Sequence, residues 1–75
     1  MQIAMPQLND AGDPGVVSEI FVKVGDTVAV GQPVMAMEME KAIVEIEATA
    51  AGTIAEIAVQ VGDQVSVGQI LIQLD

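Results

Sequence analysis

The sequence predicts an all-β fold, a sandwich or barrel of short antiparallel strands. Apolar residues recur mostly with period 2, and Val and Ile are prominent among them. Glycines punctuate the pattern six residues apart within each half, as Gly25 and Gly31 or Gly62 and Gly68 do. Such alternation lays one face of a strand on a core, where β-branched side chains pack well. No segment reads as a helix.

Each element follows in order. Asn9 to Pro14, with Asp, Gly and Pro close together, is expected to be a surface loop. From Val16 to Val24 the apolar Ile20, Val22 and Val24 alternate with positions that include Glu19 and Lys23, so this stretch reads as a half-buried strand. Pro33–Met39 and Ala42–Ala48 read as two strands joined by a two-residue turn, with clear alternation from Ile43 to Glu47. Ile54–Val61 and Ile70–Asp75 alternate in the same way.

The composition narrows the function classes. The 75 residues make one domain, and a chain of this size buries only about 60% of its unfolded surface, too little for a large enclosed active site. It has no Cys, which removes a disulfide framework, a thiolate metal site and a Cys nucleophile together. It has no His, the commonest general base and metal ligand. Two Lys against eleven Asp and Glu give a net charge of −9, the wrong sign for a nucleic-acid or anionic-membrane surface. No apolar run approaches the roughly 18 residues of a membrane span, and no signal peptide opens the chain. The expected location is therefore the cytoplasm, or an organelle matrix after processing. With 52% hydrophobic and 17% charged residues the chain should fold. Asp10 and Asp13 lack the spacing and ligand count of a calcium loop. No catalytic residue and no metal ligand set emerges, which leaves a binding, carrier or structural module.

The chain also repeats itself at an offset of 37, the segment from Gly15 to Glu38 matching Gly52 to Asp75 with 11 identities in 24 positions. Val24-Gly25-Asp26 falls on Val61-Gly62-Asp63, and Val30-Gly31-Gln32 on Val67-Gly68-Gln69. One unit cannot bury its own apolar face, so the halves should pack about a two-fold axis. Met35 and Met37 replace Ile72 and Leu74, which assigns them to the core. Val28 with Val30, and Val65 with Val67, are expected to face inward. Subtracting 37 from Lys41 gives Ala4, near the chain start, so the turn at Lys41 should be the symmetry mate of the gap between the chain termini. The two places are then expected at opposite ends of the domain, with Lys41 facing away from any linker.

Several segments resemble the biotinyl/lipoyl carrier-domain family, and together they cover the whole chain. Met5-Pro6-Gln7-Leu8 resembles the opening strand of lipoyl domains, and Ile20 to Val28 their second strand and turn. Gly31-Gln32-Pro33 resembles the approach to the fourth strand, and Ala50-Ala51-Gly52-Thr53-Ile54 the start of the sixth. Glu38-Met39-Glu40-Lys41-Ala42 resembles the lipoyl attachment signature E-x-D-K-A, with Glu40 in place of Asp. Ala36-Met37-Glu38-Met39 looks like the biotinyl A-M-K-M, but out of register. In both branches the modified Lys lies eleven residues before the glycine that opens the sixth strand. Lys41 lies eleven before Gly52, and Glu38 fourteen.

The resemblance implies a flattened barrel of two four-stranded antiparallel sheets with a quasi-two-fold axis. It implies lipoate as a covalent cofactor on Lys41, with Glu38, Glu40 and Ala42 as flanking recognition residues. The partners it implies are a lipoate-attaching enzyme and the 2-oxo acid decarboxylase, acyltransferase and dihydrolipoamide dehydrogenase components of a 2-oxo acid or acetoin dehydrogenase complex. In such a complex the domain is a swinging carrier without an active site of its own, monomeric when isolated. It further suggests that the loop Asn9–Pro14 lies near the attachment turn and aids recognition by the decarboxylase. Two alternatives stand beside this: a biotinyl carrier of a carboxylase, or an unmodified lipoyl-like structural domain. Lys23, on the outer side of a strand with Gln60 as its repeat mate, serves as an internal control expected to be plain solvated surface.

Overall fold

The computed structural model describes residues 1–8 and 11–75. Asn9 and Asp10 lie outside the described residues, so only the end of the expected Asn9–Pro14 loop, from Ala11 onward, can be placed. Eight strands follow one another: β1 (Gln2–Ala4), β2 (Gly15–Ile20), β3 (Thr27–Val28), β4 (Pro33–Glu38), β5 (Ile43–Glu47), β6 (Gly52–Ile57), β7 (Gln64–Val65) and β8 (Ile70–Leu74). They form two four-stranded sheets, ordered β1-β8-β6-β3 and β5-β4-β2-β7, with every pairing antiparallel. The all-β, two-sheet architecture is the one expected.

The two sheets are copies of each other. Adding 37 carries β2 onto β6, β3 onto β7 and β4 onto β8. The irregularities repeat as well: β2 breaks register between Val17 and Glu19, and β6 between Ile54 and Glu56. The offset changes for the remaining pair. Ile46 of β5 faces Met35, whereas Ile3 of β1 faces Ile72, so the mate of Ile46 is Ile3, at an offset of 43. The first half therefore carries six more residues than the second, and they lie in the connection between β1 and β2. Lys41 maps to a point ahead of Met1, and not onto Ala4 as the uniform offset suggested. The opening strand is likewise Gln2–Ala4, ahead of the Met5–Leu8 segment singled out by resemblance.

Sequence and structure part company at four valines, for one reason. Lys23–Asp26, Ala29–Gln32, Gln60–Asp63 and Ser66–Gln69 are β-turns, each closed by an N–H of the fourth residue donating to the carbonyl of the first at 3.0–3.1 Å. The third residue of each is a glycine with φ between +88° and +97°, and no other residue type has positive φ among the described residues. These are type II turns, which need that glycine. Asp26 and Asp63 accept a backbone N–H from Lys23 and Gln60 through Oδ2, and Gln32 and Gln69 accept one from Ala29 and Ser66 through Oε1. The second position of a type II turn points outward. Val30 and Val67, expected inside, are therefore 67% and 41% exposed, and Val24 and Val61 are exposed too, so the inward alternation ends at Val22 and Val59, two residues beyond the strand ends at Ile20 and Ile57.

Val28, Met35, Met37 and Val65 are buried as expected, with Ile3, Met5, Val17, Val34, Ile46, Ile54, Leu71 and Ile72. The core holds no aromatic ring; Phe21 is exposed. Unbranched methionines fill the space that rings would otherwise take.

A Cβ at Gly25 or Gly62 would meet nothing within 4 Å, so an alanine there acts through backbone conformation alone. Gly25→Ala and Gly62→Ala should each destabilise the domain by about 1–2 kcal/mol. Thermal unfolding followed by circular dichroism should show two near-equal drops in Tm, since the two turns are symmetry mates.

Candidate functional site

Seven connections join the eight strands, and six of them pass from one sheet to the other. The exception is the hairpin between β4 and β5, which stays within its sheet. Its register runs Met37 opposite Val44 and Glu38 opposite Ile43, and Met39 N–H donates to the Ala42 carbonyl at 2.8 Å. Glu40 and Lys41 are left at the tip, which is the two-residue turn expected from the sequence.

The structure brings all four singled-out residues to this tip. Glu38, Glu40, Lys41 and Ala42 are exposed. Among the described residues no side-chain or backbone acceptor engages the Lys41 ammonium. Met39, which sequence reasoning passed over, is half-buried and packs against the core cluster. Its signal was the inward stripe Met35, Met37, Met39 at period 2. A shallow hollow beside the tip is lined by Asp13, Pro14, Val16, Glu38, Met39 and Glu40. The end of the β1–β2 loop thus borders the hairpin.

The tip and the chain ends occupy opposite ends of the domain. Val16 lies opposite Glu38, which puts the start of β2 at the Lys41 end. From there β2 leads away from the tip toward the turn at Gly25. Gly25 N–H reaches the Ile54 carbonyl, and Thr27 and Val28 lie opposite Thr53 and Gly52. Asp75 N–H donates to Thr53 O there, and Leu74 N–H to Met1 O. Lys23 sits in the turn at the far end, its own N–H bonded to Asp26.

Charge is distributed less evenly than the backbone. The sheet that carries the hairpin holds Glu19, Glu38, Glu45 and Glu47 on its strands, and the other sheet holds Glu56 alone. The symmetry mates of Glu45 and Glu47 are Gln2 and Ala4. Carboxylates are therefore concentrated in the layer that presents Lys41.

Among the described residues, the eight-stranded, two-fold repeated β-sandwich holds one lysine out on its only within-sheet hairpin, an arrangement suited to a cofactor-attachment type of domain. The sequence matches the biotin/lipoyl family model, described as Biotin-requiring enzyme, over residues 1–74, and the chain belongs to that family. A similar solved structure is the lipoyl domain of the 2-oxoglutarate dehydrogenase complex from Azotobacter vinelandii, at 31% identity and a TM-score of 0.76 over 100% of this chain and 95% of that one. The urea carboxylase of Kluyveromyces lactis contains the same fold, at 23% identity and a TM-score of 0.82 over 100% of this chain and 6% of that one. No curated protein sequence matches the chain.

Glu40 and Lys41 both have negative φ. The tip is thus not a primed turn of the kind that demands Gly, Asn or Asp, and glutamate fits it without strain. Glu40→Gly should therefore lower stability by about 0.4–1 kcal/mol through added chain entropy. A primed turn would be stabilised by the same change, so denaturant unfolding of this variant distinguishes the two.

Proposed function

We propose that the chain is a lipoyl carrier domain whose Lys41, once lipoylated, moves acyl groups and reducing equivalents between the components of a 2-oxo acid or acetoin dehydrogenase complex. The observation that carries this reading is the placement of Lys41: exposed, at the tip of the within-sheet hairpin, eleven residues before Gly52 and at the end away from Met1 and Asp75. Glu40 and Ala42 favour lipoate over biotin, because the biotinyl pattern has Met on both sides of its lysine.

The residues fit a tethered group. An amide needs an amine in the open, a rigid base and room around the tip, and the Glu38–Ile43 hairpin supplies these. Lys41 Nζ would hold lipoate through an amide, the amine displacing the leaving group of an activated carboxyl and giving up a proton. Lipoate, when bound, supplies a dithiolane that takes up an acyl group together with two electrons. The hairpin fixes where the arm starts, and the side chain of Lys41 leaves it free to swing. Tethering then turns successive encounters with partner active sites into intramolecular ones. The excess of carboxylates on the sheet that bears the tip steers basic enzyme surfaces toward that layer. Glu38, Glu40 and Ala42 are the recognition residues for the attaching enzyme, and catalysis belongs to the partners.

Amide formation removes the charge of one lysine, taking the formal net charge from −9 to −10. Exposure to a lipoate-attaching enzyme should add one lipoyl increment to the intact mass and lengthen retention on an anion exchanger. Lys41→Ala should abolish both changes, and Lys23→Ala should leave both intact. A biotinyl increment from a biotin ligase would select the carboxylase reading instead, and no increment from either enzyme the structural one.

A further inference from the structure

Within the tip, Glu40, Lys41 and Ala42 are exposed, and of the four residues Met39–Ala42 only Met39 reaches the core. The four type II turns that cross between sheets are each closed internally, bonded by an Asp or Gln side chain, and clipped to a neighbouring strand. The Lys41 turn has the Met39–Ala42 backbone bond and the Met39 side chain.

That side chain rests on a glycine. A Cβ at Gly15 would stand 3.0 Å from Met39 Sδ, 3.3 Å from Met5 Cε and 3.4 Å from Met37 Cβ. Gly15 is buried and does not have the positive φ of the turn glycines. It is glycine for space, and not for backbone conformation. At its symmetry mate Gly52, a Cβ would meet the backbone carbonyl of Asp75 at 3.1 Å. At the Lys41 end, glycine instead admits a side chain of the tip itself, and a flexible thioether moulds readily to such a seat.

We infer that Met39 is a positioning residue for the modification of Lys41, its thioether seated on the bare Cα of Gly15 so as to hold the turn in the pose an attaching enzyme requires. This rests on the reading of Lys41 as the attachment site. A modifying enzyme must bring Nζ into line with an activated carboxyl, and a displaced or loosened turn lowers the share of encounters that succeed.

The test uses the unmodified domain, a lipoate-attaching enzyme and the variants Met39→Ala, Met39→Leu and Gly15→Ala. Amide order parameters of residues 40–42 are measured by nuclear magnetic resonance relaxation, and kcat and KM by intact mass. Met39→Ala should lose order at Glu40–Ala42 and lower kcat/KM about ten- to hundredfold. Met39→Leu, which refills the seat, should recover most of the rate. In Gly15→Ala the nearest atoms belong to the ends of two flexible methionines, so the domain should fold while Met39 is displaced and the rate falls. It serves as the deciding variant if Met39→Ala does not fold. Wild-type rates in both Met39→Ala and Gly15→Ala would overturn the inference and leave the attachment reading standing. So would a Met39→Leu variant as slow as Met39→Ala. A wild-type chain left unmodified at Lys41 would overturn both.

Discussion

The structure depends on how four type II turns are bonded where the chain changes sheets. Each turn glycine donates its N–H to a strand carbonyl, and the same strand residue donates its N–H back to the residue after the glycine. Gly25 and Asp26 bond Ile54, Gly62 and Asp63 bond Val17, Gly31 and Gln32 bond Ala48, and Gly68 and Gln69 bond Met5, at 2.8–2.9 Å. In every case the bonded residue belongs to, or directly follows, a strand of the sheet the chain is about to join. Backbone groups that a crossing would leave unpaired are thus satisfied by the receiving layer. These eight bonds fix the sheet crossings around a core that has no aromatic ring.

That constraint explains what could be read in advance and what could not. The turns repeat the same Val-Gly-Asp and Val-Gly-Gln triplets, so the two-fold arrangement of β2–β4 and β6–β8 was open to inspection. The same triplets misled on Val30 and Val67, because alternation extended through a turn assigns the wrong side to its second residue. Between β1 and β5 the likeness is too thin to read. Ile3 and Ile46 share one core role, but Gln2 and Ala4 stand where Glu45 and Glu47 do, and six additional residues intervene before β2. Strand pairing reveals the changed offset, and local sequence does not.

The hairpin was legible for a different reason. Lys41 is marked by its neighbours and by its distance from Gly52, both local facts. Gly15 and Met39 are joined by a contact across 24 positions of sequence, and a glycine needed for space carries no pattern that separates it from one needed for conformation. Only the positions of Met5, Met37 and Met39 around its Cα show which it is.

Topology and chemistry meet at the one connection that does not cross. Each type II crossing turn has its backbone bonded to the layer it enters. The β4–β5 turn enters no new layer and is free to project beyond the end of the sandwich. Two-fold symmetry alone would allow a second such turn, but its counterpart is the backbone pairing of Leu74 with Met1. A repeated fold therefore offers one protruding hairpin, and it lies at the end opposite Met1 and Asp75. Concentrating carboxylates on that layer breaks the remaining equivalence between the two faces. An approaching basic protein is then drawn to the layer that bears Lys41.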